Sequence, residues 1–197
     1  MSKEKLIEEI DAEVVACVKC GLWKRRRRAV PGGGDVDAEI MFVGEAPGKQ
    51  EDLCGLPFVG TAGKFLDELL RGIGLSRVEV YVTNVVKCRP PGNRDPALEE
   101  IATCTGLYLT RQIQVIRPRF LVLLGRHAAA FVLSKGGIEV EGITRVHGKV
   151  YEISPFGFSV VTIPMFHPAA ALYNVRYRDL LGGDFRVLKC ELEKRGC

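Results

Sequence analysis

The sequence of this 197-residue chain predicts an α/β protein with a mainly parallel central sheet and helices on both faces. Three short segments indicate strands: the apolar run 40–43, residues 78–86 with the composition of a strand, and residues 119–125, which read as a buried strand. Each run is followed by a segment with helical periodicity, at residues 62–73, 97–115 and 127–133. This alternation is typical of parallel strands, because the connection between two parallel strands needs a crossover helix.

The two ends of the chain add elements at the margins of this arrangement. Apolar residues at helical spacing predict an amphipathic helix over 3–16, and the segment 31–37, PGGGDVD, is predicted as a flexible turn. The stretch 136–148 is glycine-rich and polar, and no helix or strand is predicted there. The remaining predicted elements are a hairpin of residues 149–153 and 158–163 and two helices at 169–173 and 177–195.

Composition and charge narrow the class of protein. With 47% hydrophobic residues, the chain fits one globular domain spanning residues 1–197, which we expect to be a monomer. The formal charge of +4 permits a polyanionic partner without requiring one. Because no apolar stretch reaches transmembrane length and the amino terminus is charged, we expect a cytoplasmic protein with no membrane contact.

Seven cysteines in a reducing compartment favour metal ligation over disulfides. The predicted helix 3–16 leads directly to Cys17 and Cys20, a CxxC pair whose spacing is shared by zinc, redox and iron-sulfur sites. Five consecutive cations follow at residues 24–28, which we call the basic segment. Such a segment is most often a solvated surface, but it could also contact phosphates.

Polar and glycine-rich loops follow three of the predicted strands, at the sheet edge where α/β proteins bind ligands. These loops carry GEAPGKQED and LPFVGTAG within residues 44–63, TNVVKCRPPGNRDP at 83–96, and HPAAAL at 167–172. In this order the motifs resemble those of the family 4 uracil-DNA glycosylases, the iron-sulfur branch found in thermophilic archaea and bacteria. The resemblance spans most of the chain and implies the three-layer fold of uracil-DNA glycosylases.

The resemblance also implies an activity. A family 4 enzyme flips uracil out of single- or double-stranded DNA and hydrolyses its N-glycosidic bond, leaving an abasic site, in base excision repair of deaminated cytosine. Such an enzyme is monofunctional, and no lysine of this sequence is evidently placed as a Schiff-base nucleophile. The sequence identifies no protein partner, a replication clamp included.

By resemblance, the uracil site consists of a stacking ring, a reading amide, a histidine and the backbone of the first loop. Phe58 would stack on the flipped base, and the Asn84 amide would donate to uracil O4 and accept from N3–H. His167 would donate to uracil O2 as negative charge develops there. Glu45, or as second choice Glu51, would position water and stabilise the cationic sugar. The loop residues implied to line the pocket are Gly44, Glu45 and Ala46, and alanine at 46 departs from the glycine of many members, narrowing the pocket mouth.

The resemblance further implies that Cys17, Cys20, Cys88 and Cys104 hold a four-iron four-sulfur cluster. Zinc, the less favoured occupant, also accepts four cysteines. The cluster would join the amino-terminal segment to residues 88–104, beside the basic segment. Cys54, Cys190 and Cys197 are left without a role.

Each candidate also has a purely structural alternative. Phe58 could belong to the core, Asn84 could cap a loop and His167 could be a turn residue. The whole chain could likewise be a metal-stabilised nucleic-acid-binding module without catalysis. The related family 5 branch shares the four cysteines, but it lacks a polar residue after the first-motif glycine, so Glu45 argues against it.

Overall fold

The computed structural model describes residues 1–196, and Cys197 lies outside the described residues. Six strands form one sheet: β1 (Gly33–Gly34), β2 (Ile40–Gly44), β3 (Val80–Asn84), β4 (Phe120–Leu124), β5 (Tyr151–Ile153) and β6 (Val160–Met165). The helices before β4 are α1 (Lys3–Ala16), α2 (Lys49–Cys54), α3 (Thr61–Gly72), α4 (Leu98–Cys104) and α5 (Thr110–Ile116). Those after β4 are α6 (Arg126–Lys135), α7 (Ile143–Val146), α8 (Pro168–Ala171) and α9 (Val175–Lys194).

The strand order across the sheet is β1-β3-β2-β4-β6-β5. The four central strands are parallel, and the two edge strands pair antiparallel with their neighbours. The predicted mainly parallel sheet is therefore confirmed. Gly44 pairs with Asn84, and Leu124 pairs with Met165, so the carboxyl ends of all four central strands lie at one edge.

Alternate residues along each central strand pack into two separate cores. On β2, Met41 and Val43 contribute to a core with α1, α5 and α6. Ile40 and Phe42 contribute to the opposite core, with α3 and α9. Every residue of the four central strands is buried, as expected for a parallel sheet covered on both faces. The three-layer prediction is confirmed.

The prediction of a flexible turn over 31–37 is wrong at its centre. Gly33 and Gly34 form β1, which pairs with Val82 and Tyr81 on β3. A Cβ atom on Gly34 would lie 2.0 Å from the carbonyl oxygen of Val80, so only glycine lets the chain approach this strand so closely. The same glycine-rich composition that suggests flexibility therefore permits an edge strand.

Three further predictions differ in their boundaries. The helix expected over 97–115 consists of α4 and α5 joined by a π-helical turn, Thr105–Leu109, directly after Cys104. The strand expected over 78–86 is shorter in the structure, where β3 covers only Val80–Asn84. A 3₁₀ turn, Arg77–Glu79, directly precedes it. The stretch 136–148 contains the short helix α7.

Among residues 1–196, no helix combines the length and the hydrophobicity that crossing a lipid bilayer requires.

Candidate active site and cysteine centre

A cavity of about 370 Å³ opens at the carboxyl edge of the sheet, between the loops that follow β2, β3 and β6. Six of the seven residues implied to bind uracil or catalyse its release line this cavity: Glu45, Ala46, Glu51, Phe58, Asn84 and His167. Three stretches that are distant in the sequence therefore meet at one site, because the strands that carry them are parallel and adjacent.

Gly44, the seventh residue, ends β2 and lies against two of the residues that line the cavity. A Cβ atom there would lie 2.4 Å from Asn84 Oδ1 and 2.7 Å from Phe58 Cζ. Any side chain at position 44 would therefore displace either the amide or the ring, so glycine is required for the other two residues to meet.

Asn84 ends β3 and is 1% exposed. Its Oδ1 atom is buried and accepts no hydrogen bond from any described residue, which is unfavourable unless a ligand supplies the donor. Behind it, the buried Lys87 ammonium donates to the Asn84 carbonyl at 2.8 Å and to Gln112 Oε1 at 2.7 Å. Burial lowers the pKa of Lys87 to about 8. These bonds fix the end of β3 and leave the Asn84 side chain for the cavity.

Phe58 lies on the loop between α2 and α3 and is buried at 6% exposure. Its ring centroid is 5.7 Å from that of His167, with the two rings inclined at 32°. The backbone of Phe58 is left-handed, with φ 52°, an uncommon conformation for a bulky residue. The ring is thus a wall of the cavity, held in place by an unusual backbone geometry.

His167 follows β6 and caps the amino end of α8, where its Nδ1 accepts a hydrogen bond from Ala169 N at 3.1 Å. Burial lowers the pKa of His167 to about 4, so the ring is neutral at pH 7. A neutral ring whose Nδ1 accepts must carry its proton on Nε2. The fold therefore supplies a neutral Nε2–H donor at the cavity wall.

Glu45 directly follows Gly44, and its side chain is 29% exposed. Burial raises the pKa of its carboxyl group, an effect that the neighbouring His127 opposes. One Glu45 oxygen lies 3.7 Å from His127 Nε2, and the same nitrogen lies 3.6 Å from Asp95 Oδ1. Neither carboxylate is hydrogen-bonded to His127, whose Nε2 has no hydrogen-bond partner among the described residues.

Glu51 differs from Glu45 because both of its oxygens are already used. Oε1 accepts from Val59 N at 2.9 Å and from Gly60 N at 2.8 Å, while Oε2 accepts from Gly48 N at 3.1 Å. Glu51 therefore ties the start of α2 to the turn that follows Phe58. Glu51 lines the cavity, but its carboxylate oxygens already accept hydrogen bonds from the backbone of the surrounding loops.

The four predicted metal ligands also meet, in a second and smaller pocket. Cys17, Cys20, Cys88 and Cys104 line one small pocket, enclosed by apolar side chains such as Val14 and Leu22. All four are free thiols. Burial raises the pKa of Cys20, Cys88 and Cys104, the last to about 12, so a cationic partner is needed to favour their thiolates.

The ligand set fits either of the two candidate groups. Four cysteine sulfurs in one apolar pocket can hold a tetrahedral zinc ion or a four-iron four-sulfur cluster. Two donors face the sulfurs: Arg26 Nη1 lies 3.1 Å from Cys88 Sγ, and Lys87 N lies 3.3 Å from Cys104 Sγ.

Comparison with known proteins agrees with this geometry. The family model of the uracil DNA glycosylase superfamily matches residues 31–182. The type-4 uracil-DNA glycosylase of Saccharolobus solfataricus is 50% identical over 190 residues, covering 96% of this chain and 88% of the relative. That of Archaeoglobus fulgidus is 51% identical over 182 residues, covering 92% and 91%.

The chain belongs to the type-4 uracil-DNA glycosylase family. A type-5 uracil-DNA glycosylase, from Pyrobaculum aerophilum, is 33% identical over 167 residues, covering 77% of this chain and 70% of the relative. The higher identity to type-4 proteins agrees with the presence of Glu45 in the first motif.

Sequence reasoning missed several residues of this type-4 site. Pro90, Asn93 and Arg94 line the cavity, and His127 and Asp95 stand beside Glu45. The position of Pro90, Asn93 and Arg94 in the loop after β3 could have indicated them, because loops at the carboxyl ends of strands bind ligands. Nothing in the sequence signals His127, which is brought to Glu45 only by the pairing of β2 with β4.

The basic segment is only in part the solvated surface that its composition suggests. Arg26 is half-buried and donates to Val15 O at 2.5 Å as well as to Cys88. Lys24, Arg25 and Arg27 are exposed. The Arg27 backbone N–H donates to Asp52 Oδ1 at 2.9 Å, which anchors the segment to α2, the helix that carries Glu51.

Proposed function

We propose that this protein excises uracil from DNA by hydrolysing the N-glycosidic bond and leaving an abasic site. The observation that carries the proposal is the pairing, in one cavity, of a neutral Nε2–H donor on His167 with an unpartnered amide oxygen on Asn84. A flipped uracil offers the complementary groups, an O2 that gains negative charge and an N3–H that donates. Family membership supports the same activity.

Recognition of the base depends on Asn84 and Phe58. The Asn84 amide accepts from uracil N3–H and donates to O4, whereas cytosine presents an acceptor and a donor in the opposite order. The Phe58 ring supplies a stacking surface for the flipped base. Because the Asn84 backbone is held by Lys87, a wrong base is opposed by a fixed amide.

The bond-breaking step needs stabilisation of two charges. As the bond between C1′ and N1 breaks, its electron pair leaves with uracil, and His167 Nε2–H stabilises the charge that develops on O2. A water oxygen bonds to C1′, and a proton of that water passes to the Glu45 carboxylate, which also stabilises the cationic sugar. Neutral uracil then forms by protonation of the leaving anion.

We assign the water-positioning role to Glu45 rather than Glu51, because the oxygens of Glu51 already accept three backbone N–H groups. Glu45→Gln is expected to slow the chemical step. Glu51→Gln is expected mainly to lower the melting temperature, because the amide oxygen can replace only one of the two accepting oxygens and the NH₂ group faces a backbone N–H that it cannot accept from. A parental single-turnover rate in Glu45→Gln, together with a slow and fully stable Glu51→Gln, would reverse the assignment.

We further propose that the four cysteines hold a four-iron four-sulfur cluster rather than zinc, on the basis of family membership and of the one pocket in which the four cysteines meet. Bound there, the cluster would cross-link these segments and would provide electron-transfer capacity. The chain's own contribution is architectural: Cys17 and Cys20 extend from α1, while Cys88 and Cys104 lie after β3 and at the end of α4. We retain a single domain of residues 1–197, a monomeric state and a cytoplasmic location as proposals.

A gel assay decides between this enzyme and a nucleic-acid-binding module without catalysis. The protein is incubated with a labelled oligonucleotide containing one uracil, and alkali then cleaves any abasic site. Cleavage at the uracil position, and none in a matched strand with thymine, is the expected result. DNA that is bound but chemically intact would support the binding module instead.

A further inference from the structure

The backbone of Phe58 has an unusual conformation that the proposed function does not explain. Among the described residues, only Phe58, Asn93 and Arg117 have positive φ without being glycine, and Phe58 is the only aromatic residue of the three. Bulky side chains avoid this region because Cβ crowds the backbone. Such a conformation persists only where the surroundings impose it, and it occurs mainly at functional sites.

Arg77 and the start of α3 both lie against the Phe58 peptide group. Arg77 Nη2 donates to the carbonyl oxygens of Pro57 and Phe58, each at 2.9 Å, so one nitrogen holds two successive peptide groups. On the other side, a Cβ atom on Gly63 would lie 1.7 Å from the Phe58 carbonyl oxygen. The first turn of α3 therefore closes directly against the same carbonyl.

Arg77 is itself held in place and does not line the cavity. Its Nη1 lies 3.5 Å from Asp67 Oδ1 on α3, and its side chain is 29% exposed. The guanidinium carbon lies 5.8 Å from the centroid of the Phe58 ring, within cation–π distance. The 3₁₀ turn before β3 thus presents a fixed cation to the loop that carries Phe58.

We propose that Arg77 is a positioning residue for uracil excision: its two bonds to the Pro57 and Phe58 carbonyls hold Phe58 in the left-handed conformation that places its ring beside His167. This inference rests on the proposed function, in which Phe58 stacks on the base. Arg77 then acts through Phe58 and contacts neither base nor DNA.

A double-mutant cycle tests this assignment. Arg77→Met and Phe58→Ala are made singly and together, and kcat/KM for a uracil-containing oligonucleotide is measured for all four proteins. Arg77→Met is expected to lower kcat/KM about tenfold in the parent, a coupling typical of contacting residues, and less than about twofold when Phe58 is already alanine. The same loss in both backgrounds would overturn the proposal.

Two further measurements separate positioning from other roles. Arg71→Met removes a neighbouring surface arginine that donates to the Asp67 carbonyl, and it is expected to leave kcat/KM unchanged. The slope of log K for DNA binding against log salt should be the same for Arg77→Met and the parent. A slope smaller by about 0.7 to 0.9 would mean that Arg77 neutralises a phosphate, and would also overturn the proposal.

The outcome remains decisive if Arg77→Met does not fold. Arg77→Lys keeps the charge and the alkyl stem but replaces the planar fork, so the same cycle is then run with Arg77→Lys. A loss of kcat/KM is expected in the protein that carries Phe58, and none in the Phe58→Ala variant. A parent protein that leaves uracil in DNA would refute the proposed function itself. Activity with additive losses would refute only the role of Arg77.

Discussion

Replacing His167 tests the central element of the site, because its tautomer is fixed by one backbone bond. His167→Ala removes the Nε2–H donor and the Nδ1 acceptor of Ala169 N together. Loss of one donor to a developing oxyanion costs about 3 to 4 kcal/mol, so we expect the chemical step to slow about 10²- to 10³-fold. Loss of the cap on α8 should cost about 1 kcal/mol of folding stability, a separate effect.

His167→Asn separates these two effects. Asparagine is a good helix cap, so its side-chain oxygen can replace Nδ1, but its amide does not reach as far as Nε2. We expect melting temperatures close to the parent and a slow chemical step. Single-turnover kinetics at saturating enzyme are the appropriate assay, because slow product release hides changes in chemistry under multiple turnover. Binding to DNA with an abasic-site analogue should change little.

The pH dependence of stability provides a second check on His167. Its pKa in the folded protein is about 4, below the ordinary value of 6.5, so the unfolded chain binds the proton more readily. The sign follows from this: the contribution is complete above pH 6.5 and is lost as pH falls towards 4, amounting to about 3 kcal/mol. Denaturant titrations should show this loss in the parent and not in His167→Asn.

Two results would refute the reasoning. A change of less than about twofold in the single-turnover rate of His167→Ala, with the fold intact, would make His167 only a helix cap. Backbone N–H groups near Glu45 would then stabilise the departing uracil. An equal loss of stability between pH 7 and 4 in the parent and in His167→Asn would show that burial does not lower the pKa of His167.

Three other predictions concern the base, the cysteine centre and the DNA backbone. Asn84→Asp should weaken discrimination against cytosine, because a carboxylate accepts from the cytosine amino group but cannot donate to uracil O4; parental uracil excision with cytosine still ignored would remove Asn84 from base reading. The purified protein should be yellow-brown and contain iron, and Cys104→Ala should lose colour and stability more than intrinsic rate; a colourless, fully active protein with stoichiometric zinc would contradict the cluster. Replacing Arg25 and Arg27 together by alanine should reduce the salt slope of DNA binding by about 1.4 to 1.8, whereas Lys189→Ala, an exposed site on α9, should not change it. A parental slope in the double variant would mean that the basic segment does not touch phosphates.

The sequence by itself determined the layered fold and the loops that carry the candidate residues Phe58, Asn84 and His167. Buried strands in a parallel sheet are continuous apolar runs, and β2, β3 and β4 stand out for that reason. The polar loops that follow strands could then be placed at one sheet edge without any coordinates. Glycine was the main source of error, because the same residue permits a flexible turn or, as in β1, a close edge pairing.

The tertiary structure alone decided the chemical state of the residues that the motifs supplied. Glu45 and Glu51 are indistinguishable as sequence letters, and they differ only because three backbone N–H groups converge on Glu51. His167 is neutral and donates from Nε2 because of burial and the Ala169 amide. The contact between His127 and Glu45, and that between Arg77 and Phe58, join residues far apart in the chain. Hydrogen bonding and burial depend on atoms brought together by folding, so no local pattern could have specified them.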